Sequence, residues 1–478
     1  MGSDNRPLHI FFFPFLAHGH IIPIVDMAKA FAAKGVKATI VTTPLNAPLI
    51  SKAIGKAKTY SNGIHIQTIK FPSEKLGLPE RCENADSVPS PHLSPTFFKA
   101  TRVLQEPLEK LLLEQHPDCL VADLMFSWTT DSAAKFEIPR IVFHGISFFA
   151  LCAIECMRLY MPYNKVCSDS ESFVIPNLPG EIKMTRNQLP DFLVVHESIN
   201  MTSFFEESRE SEARSYGVIV NSFYELEQVY ADYYRNVLGR KAWHIGPLSL
   251  SNIDTEEKAH RGKEASIDEH EWLKWLENKK PNSVVYVCFG SVTNFPDSQL
   301  REIAMGLEAS GQQFIWVVRK SKEDEKEWLL EGFEKRMEGK GLIIRGWAPQ
   351  VLVLEHEAVG AFVTHCGWNS TLEAVTAGVP MVTFPVAAEQ FFNEKLVTEV
   401  LKIGVPVGVK KWVRLVGDST KWEEVEKAVK RIMTGEEAVE MRNKVKVLSG
   451  LARQAVAEGG SSYSDLSALI EELGSLRH

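Results

Sequence analysis

Short apolar runs alternate with amphipathic helical patterns along most of this chain, and that alternation limits the folds it can adopt. The apolar run Leu8–Phe13 is followed by a loop at residues 17–20, the amphipathic stretch Ile21–Ala33 and the apolar run Val36–Val41. A strand, a helix and a second strand in this order form a βαβ unit, whose two strands lie parallel. The pattern therefore predicts an α/β protein with helices on both faces of a parallel sheet and ligands at the carboxyl ends of its strands.

The same pattern resumes after a linker, which predicts two domains. The chain has 478 residues, too many for one ordinary core. The stretch 252–270 is charged and nearly free of large apolar residues, as linkers are. We expect domains at residues 1–250 and 271–460, a linker at 251–270 and a C-terminal helical segment at 461–478 that could belong to either domain. The expected strands are Leu8–Phe13, Val36–Val41, Ile64–Ile69, Cys119–Ala122, Arg140–Phe143 and Gly217–Asn221, then Val284–Phe289, Phe314–Val318, Leu342–Arg345, Ala361–Thr364 and Val379–Phe384, of which the last would close the second sheet. The expected helices include Phe97–Gln115, Trp128–Phe136 and Trp422–Met433.

The stretch from about Tyr160 to Arg214 is the least regular part of the first domain. Prolines at 162, 176, 179 and 190 interrupt its apolar patches, and such punctuation is typical of loops. We interpret it as an insertion that roofs a pocket.

Composition excludes several classes of protein. Apolar content of 45% and charged content of 24% are typical of soluble globular proteins, and a net charge of -8 offers no basic surface for nucleic acid. The seven cysteines show no paired or metal-ligand spacing, which fits a reducing compartment. The apolar run Ile141–Met157 contains His144 and Glu155 and is short for a membrane span. We therefore expect a cytoplasmic protein without a stable membrane anchor. As a separate expectation, the protein is a monomer.

One strand-to-helix turn in the second domain has the form of an anion site. The expected strand Ala361–Thr364 ends in His365-Cys-Gly-Trp368, and a helix over 369–377 follows. A helix N-terminus after a glycine turn presents free N–H groups and a positive dipole end. His365, Asn369 and Ser370 add side-chain donors that suit a diphosphate. Alternatively, Ser370 and Glu373 form only a capping box at the helix start, and both interpretations stay open on this evidence.

The stretch around that turn resembles a known signature. From Trp347 to Gln390 the chain reads WAPQ at its start and EQ at its end, over 44 residues. It is similar over its full length to the signature box of the plant secondary-product UDP-sugar glycosyltransferases of family 1. The resemblance implies the GT-B fold, in which two doubly wound Rossmann-like domains face each other across a cleft. The N-terminal domain would bind the acceptor and the C-terminal domain the UDP-sugar, while the C-terminal helix would pack back on the N-terminal domain.

The resemblance also implies donor-binding roles for single residues. Trp347 would stack on the uracil, which suits the flat apolar face of an indole, and Glu373 would accept from the two ribose hydroxyls. Glu389 occupies a position that is often Asp in this family, so the resemblance fixes the sugar less firmly than the nucleotide. The implied donor-binding residues are Ser291, Trp347, Ala348, Gln350, His365, Trp368, Asn369, Ser370, Glu373, Glu389 and Gln390.

Sugar transfer to a hydroxyl requires a general base and a partner that orients it. His20 lies in the loop after the first expected strand, where a neutral imidazole can accept a proton near pH 7, although His18 is a rival. Gly19-His20-x-x-Pro23 resembles the family's catalytic element, which favours His20. Asp123 ends an expected strand and could bind one imidazole nitrogen, as in other His-Asp pairs, or cap the helical segment that follows.

Three aromatic residues are candidates for the acceptor pocket, and no metal or cofactor is expected. Phe126, Phe148 and Phe149 could line that pocket or belong to the core. The chain contains no Asp-x-Asp pair to place a divalent metal on a diphosphate. The UDP-sugar would act as a co-substrate, so the expected partners are a UDP-sugar and a small lipophilic acceptor.

Together these features predict an inverting, metal-independent O-glucosyltransferase of plant secondary metabolism. It would use UDP-glucose, which Gln390 favours, to form a β-glucoside of a flavonoid, another phenolic or a triterpenoid. Two alternatives stay open: use of UDP-galactose or UDP-glucuronate on a triterpenoid saponin, and a non-catalytic UDP-sugar-binding protein. A nicotinamide-dependent oxidoreductase is disfavoured because neither strand-to-helix turn carries Gly-x-Gly-x-x-Gly.

Overall fold

A computed structural model describes residues 6–55, 63–194, 199–319, 329–414 and 416–477. Its strands are β1 (His9–Phe13), β2 (Lys37–Thr42), β3 (Ile64–Thr68), β4 (Cys119–Asp123), β5 (Arg140–His144), β6 (Ser172–Val174), β7 (Lys183–Thr185), β8 (Gly217–Val220), β9 (Ala242–His244), β10 (Val284–Cys288), β11 (Gln313–Val318), β12 (Gly341–Arg345), β13 (Val359–Thr364), β14 (Met381–Thr383) and β15 (Gly404–Pro406). Its α-helices are α1 (His18–Ala33), α2 (Ala47–Ile54), α3 (Ser94–Arg102), α4 (Gln105–Gln115), α5 (Thr129–Ala134), α6 (Phe148–Tyr160), α7 (Asp191–Val194), α8 (Ile199–Ala213), α9 (Tyr224–Asp232), α10 (Thr255–Ala259), α11 (Glu269–Glu277), α12 (Asp297–Ser310), α13 (Phe333–Arg336), α14 (Gln350–Glu355), α15 (Trp368–Ala377), α16 (Gln390–Lys395), α17 (Trp422–Met433), α18 (Gly435–Val456) and α19 (Ser461–Ser475).

The chain forms two compact units, each assembled from separate stretches of sequence. Unit 1 comprises Met1–Gly145, Val195–Gly262 and Gln454–His478, and unit 2 comprises Ile146–Val194 and Lys263–Arg453. This division differs from the expected one inside the first domain, because the stretch Ile146–Val194 groups with unit 2. The later boundary falls within the expected linker, and that linker also carries α10 and the start of α11.

The sheet of unit 1 has seven parallel strands in the order β3-β2-β1-β4-β5-β8-β9. Its central strands β1, β4 and β5 are buried along their whole length because helices cover both faces. Ile10 and Phe12 pack into one core cluster, while the intervening Phe11 and Phe13 pack into the other, as side chains that alternate across a strand must. Leu469 of α19 is fully buried in the first of these clusters, so the C-terminal helix is part of the core of unit 1.

The sheet of unit 2 has six parallel strands in the order β12-β11-β10-β13-β14-β15. The sequence predicted that the strand near residues 379–384 would close this sheet, and that was wrong. The edge strand is β15, which pairs with β14. β15 has only three residues and ends in a proline, so it carries too short an apolar pattern to be recognised.

Two helical regions differ from the sequence-based expectation. The single helix expected over 97–115 is two helices, α3 and α4, and Pro107 lies in the first turn of α4, where a proline is tolerated but a continuing helix is interrupted. The stretch 160–214 was expected to be irregular, yet it contains the antiparallel pair β6–β7 and helix α8.

Over the described ranges, none of the helices combines the length and the apolar character that crossing a membrane requires.

Candidate active site

In unit 1, His20 and Asp123 meet at the point where the strand order reverses. β1 lies between β2 and β4, and ligands of doubly wound sheets bind at the carboxyl ends of the strands at such a point. Asp123 is the last residue of β4, and His20 lies in the first turn of α1, just after β1. Asp123 Oδ2 lies 2.7 Å from His20 Nδ1. The Asp123 side chain is 1% exposed and that of His20 34%, so a buried carboxylate orients an imidazole that solvent can reach.

The surroundings of Asp123 hold its carboxylate in place. Its Oδ1 accepts a hydrogen bond from the Met125 backbone N–H at 3.0 Å, and its carbonyl oxygen accepts one from Arg140 Nη2 at 3.1 Å. Burial lowers the pKa of Arg140 to about 10, so its guanidinium stays charged at neutral pH. Asp123 does not cap a helix, because α5 begins at Thr129 with Trp128 as its N-cap. Sequence reasoning missed Arg140, since nothing in the sequence links the first residue of β5 to this carbonyl.

His18, the rival candidate, has a different environment. It is buried, and its backbone N–H donates to Asp86 Oδ2 at 3.0 Å while its Nδ1 contacts the same oxygen. Because His18 is the first residue of α1, Asp86 also satisfies an amide that the helix leaves unpaired. Asp86 is 68 residues away in sequence, so no local pattern identified it.

In unit 2, the ring of His365 lies between two glycines at the corresponding reversal point. β10 and β13 are neighbours there. Gly290 lies two residues after the end of β10, and His365 directly follows β13. A Cβ on Gly290 would lie 2.7 Å from His365 Cε1, and one on Gly367 would lie 2.5 Å from His365 Nε2, so neither position admits a larger residue without displacing the ring. Ser291 follows Gly290 in the same turn.

Burial lowers the pKa of His365 to about 4, so its imidazole is neutral at pH 7. Its Nδ1 is buried and makes no hydrogen bond to any residue in the described part of the chain. A neutral imidazole has one N–H to donate, so His365 can offer a hydrogen bond to an anion but no formal charge.

Helix α15 begins directly after this turn, and its first residues do not cap the helix with their own side chains. The N-cap is Gly367, without a side-chain cap hydrogen bond, so the capping box proposed for Ser370 and Glu373 is not formed. Instead, Gln350 Nε2 donates to Ser370 Oγ at 3.1 Å and to Glu373 Oε2 at 2.7 Å. Gln350 therefore joins two predicted donor-binding side chains. Trp368 is buried and Asn369 is half-buried in the same turn.

Trp347 is held by a residue from the expected linker. Its backbone N–H donates to Ser266 Oγ at 2.8 Å, and its carbonyl accepts from the Ser266 N–H at 2.8 Å. The indole is half-buried, and Ala348 beside it is buried. Sequence reasoning missed Ser266 because the charged composition around it indicated only a linker.

Glu389 and Gln390 end the signature stretch with different exposure. Glu389 is half-buried, and Gln390 is buried. The Gln390 amide oxygen accepts from the backbone N–H groups of Val386 at 2.8 Å and Ala387 at 2.9 Å. Both lone pairs of that oxygen are thus engaged, so the group that Gln390 can offer a sugar is its NH2 donor.

The three aromatic residues suggested for an acceptor pocket are fully buried. Phe126 stacks on Phe13 with ring centroids 4.3 Å apart and belongs to a core cluster of unit 1. Phe148 and Phe149 lie in unit 2. This burial favours the alternative that all three are core residues.

The structure therefore brings the predicted residues together in two separate sets. His20 and Asp123 belong to unit 1, and the residues implied for donor binding belong to unit 2. Considering the described residues alone, no group of three His, Cys, Asp or Glu side chains is placed to hold a metal ion.

Comparison with known proteins supplies the context for this arrangement. Residues 204–450 match the model of the family described as UDP-glucoronosyl and UDP-glucosyl transferase. The chain is 60% identical to the scopoletin glucosyltransferase of Nicotiana tabacum, over 98% of each chain. It is also 60% identical to UDP-glucose flavonoid 3-O-glucosyltransferase 7 of Fragaria ananassa, over 98% of this chain and 97% of that one. The crystal structure of Glycyrrhiza uralensis UGT73P12 complexed with glycyrrhetinic acid 3-O-monoglucuronide is similar with a TM-score of 0.92 and 44% identity, over 98% of this chain and 96% of that one.

Proposed function

This chain belongs to the plant UDP-glycosyltransferases of family 1, which have the GT-B fold, and we propose that it transfers glucose from UDP-glucose to a hydroxyl group of a lipophilic plant product. The observation that carries this proposal is the 2.7 Å contact between His20 Nδ1 and Asp123 Oδ2. It distinguishes an enzyme from a protein that only binds a UDP-sugar, because donor binding alone needs no oriented base.

The pair supports a general-base mechanism. Asp123 accepts a hydrogen bond from the Nδ1–H of His20, which leaves Nε2 as the basic nitrogen of the neutral ring. His20 takes the proton of the acceptor hydroxyl as its oxygen attacks the anomeric carbon, and the bond to UDP breaks on the opposite side. Asp123 stabilises the imidazolium that forms. A single displacement of this kind converts an α-linked donor into a β-glucoside, so the reaction is inverting.

The geometry of unit 2 supports a donor site that stabilises the departing diphosphate without a metal ion. The N-terminus of α15 presents backbone N–H groups and a positive dipole end, and His365 and Ser291 add neutral donors. Glu373 and Gln350, which are hydrogen-bonded to each other, are suited to the ribose, and the half-buried indole of Trp347 to the uracil. Glu389 accepts from a sugar hydroxyl and Gln390 donates to one.

Several finer assignments belong to the same proposal. We assign acceptor binding to the N-terminal domain and UDP-sugar binding to the C-terminal domain. The acceptor class is a flavonoid, another phenolic or a triterpenoid, which is supported by the compounds named for the relatives above. The scattered cysteines support a cytoplasmic location, and we take the working form of the enzyme to be a monomer.

The test is a donor-by-acceptor screen with the purified protein. UDP-glucose, UDP-galactose and UDP-glucuronate are each combined with scopoletin, a flavonol and a hydroxylated triterpenoid, and UDP release and product mass are measured. We expect UDP-glucose to exceed UDP-galactose at least about tenfold in kcat/KM, because ~1.4 kcal/mol of differential binding suffices. Equal or better use of UDP-galactose or UDP-glucuronate would show that residues outside the signature stretch choose the sugar. UDP binding without turnover of any acceptor would identify a non-catalytic binding protein.

A further inference from the structure

Asn393 is a fully buried side chain in α16 of unit 2 whose amide group joins three segments. Its Nδ2 donates to Glu389 Oε1 at 3.0 Å and to the Cys366 carbonyl oxygen at 2.9 Å. Its Oδ1 accepts from Ser147 Oγ at 3.1 Å. Both N–H groups and the carbonyl oxygen of the amide are thus hydrogen-bonded. Losing such a hydrogen bond in a buried position destabilises the fold.

The partners of Asn393 fix the orientation of its amide. The Cys366 carbonyl can only accept a hydrogen bond, so the amide nitrogen has to face it. Ser147 Oγ accepts from the Ala150 N–H at 3.0 Å as the N-cap of α6, which leaves its hydroxyl proton for Asn393 Oδ1. With both neighbours constrained in this way, the second N–H of Asn393 is directed at Glu389.

Each of the two acceptors of Asn393 belongs to a part of the proposed donor site. Cys366 lies in the turn between His365 and α15 and has a positive φ of 64°, a conformation that few non-glycine residues adopt. Glu389 carries the carboxylate proposed to accept from the sugar. A glutamate loses considerable rotamer freedom when its carboxylate is held in one position, and a half-buried side chain needs a fixed partner to hold it there.

We propose that Asn393 is a positioning residue for donor-sugar selection: it holds Glu389 through Oε1, so that Oε2 meets the sugar hydroxyl in one geometry. Asn393 does not touch the sugar itself. Because the same amide nitrogen also donates to the Cys366 carbonyl, Asn393 fixes the position of Glu389 relative to the turn at Cys366. The distance between the proposed sugar site and the proposed diphosphate site is thereby held constant. This proposal rests on the proposed function, since it assumes that Glu389 contacts the sugar.

The test compares the ratio of kcat/KM for UDP-glucose to that for UDP-galactose in the wild type, Asn393→Ala and a control. We expect Asn393→Ala to lower this ratio at least about fivefold, because a mobile carboxylate discriminates less between hydroxyl positions. UDP affinity should change less than about threefold, since the turn at Cys366 is also held by its own backbone N–H, which donates to Thr364 Oγ1 at 3.3 Å. Glu389→Ala should lower the ratio too, and Asn393→Ala added to it should lower it no further, because residues that act through one contact are not additive.

The matched control is Gln299→Ala. Gln299 is also buried in unit 2, and its amide makes two hydrogen bonds to the backbone of Thr420, at 2.9 Å and 2.7 Å. Its loss removes a buried amide of the same kind without touching Glu389, so the sugar ratio should stay at the wild-type value. If Asn393→Ala does not fold, Asn393→Leu takes its place, since a leucine fills more of the space and has no group to donate to Glu389.

An unchanged ratio in the Asn393 variant would overturn this proposal, as would an equal loss in Gln299→Ala or an additive effect in the Glu389→Ala background. The proposed function fails differently. A wild type that transfers no glucose contradicts it at once, whatever the variants do. A wild type that prefers glucose while the Asn393 variant behaves like it contradicts only the role of Asn393.

Discussion

His18 and His20 are two residues apart on α1, yet their surroundings differ. The His18 side chain is 9% exposed and contacts Asp86, whereas His20 is 34% exposed and contacts Asp123. A general base has to reach both its orienting partner and the substrate. The greater exposure of the His20 side chain therefore favours His20 over His18 as the general base, a choice that their positions in the sequence could not decide.

His20→Ala should lower kcat by about 10²–10⁴, because it removes general-base catalysis. UDP affinity, measured by calorimetry, should stay close to the wild-type value. Asp123→Asn should act in the same direction with a smaller loss. His18→Ala is the comparison, and it should lower thermal stability more than turnover. A greater loss of turnover in His18→Ala, or a loss of UDP affinity in His20→Ala as steep as that of kcat, would reverse the assignment.

His9 at the start of β1 should make the stability of the protein depend on pH. Its pKa is lowered to about 4, first by burial and then by the nearby Lys37 charge, with Arg6 and His65 acting in the same direction and Asp118 opposing them. The unfolded histidine, with a pKa of about 6.5, binds more protons than the folded one between these values. The contribution of His9 to the free energy of unfolding is therefore fully present above pH ~6.5 and is lost as the pH falls toward 4. Between pH ~7 and pH ~5 the free energy of unfolding should fall by about 2 kcal/mol.

The measurement is the denaturant midpoint of unfolding at the two pH values in the wild type and in His9→Gln. We expect the variant to lose less stability on acidification, because a glutamine has no proton to bind. His92→Gln replaces an exposed histidine and should retain the wild-type dependence. Identical pH dependence in all three proteins would mean that His9 is not the group responsible.

At the scale of single elements, two glycines inside helices differ in the space around them, so alanine should have opposite effects on stability at the two positions. Gly306 lies in α12 against α17, where a Cβ would meet Val425 Cβ at 2.6 Å and the Trp422 carbonyl oxygen at 2.8 Å. Gly450 lies in α18, where an added Cβ would meet no atom within 4 Å. Both are interior helical positions, so alanine improves helix propensity at each.

Gly306→Ala should destabilise the protein by about 1–3 kcal/mol, since overpacking outweighs propensity. Gly450→Ala should stabilise it by up to about 1 kcal/mol. Thermal unfolding of the two variants should therefore show midpoints shifted in opposite directions. An upward shift for Gly306→Ala would mean that α12 and α17 separate at little cost.

The elements that the sequence predicted well are those with long periodic patterns. The expected helix Trp422–Met433 has the same bounds in the structure, and the central strands of both sheets lie within a residue or two of their expected positions. Short elements such as β15 and the pair β6–β7 were missed, because three residues carry too little pattern and their formation depends on a neighbouring strand.

The residues of the candidate site also differ in how far the sequence indicated them. His20 and Asp123 were predictable because each follows or ends a recognisable strand, and parallel strands bring such ends together. Asp86, Arg140, Ser266 and Asn393 were not, since each acts through a contact with a residue that no local pattern relates to it. The sequence thus indicated the candidate base and its candidate partner, but not the side chains that contact the candidate residues.

At the scale of the whole molecule, we expect catalysis to be independent of a divalent metal. The positive end of α15 and the neutral donors around His365 are suited to the leaving diphosphate. Turnover of UDP-glucose should therefore persist in about 10 mM EDTA, a large excess over the divalent metal that a protein sample carries. Activity lost in EDTA and restored by Mg²⁺ or Mn²⁺ would contradict this expectation.

Unit 1 is assembled from three separate stretches of the chain, and this affects the order in which the two units can fold during translation. Ribosomes add about 5–20 residues per second and domains generally fold as they emerge, but α19, whose Leu469 is fully buried in the core of unit 1, is synthesised after every residue of unit 2. The core of unit 1 therefore stays incomplete, without the side chains of α19, while residues Lys263–Arg453 of unit 2 are translated. Unit 2, although most of it comes later in the sequence than the first two stretches of unit 1, is the unit that can be completed first.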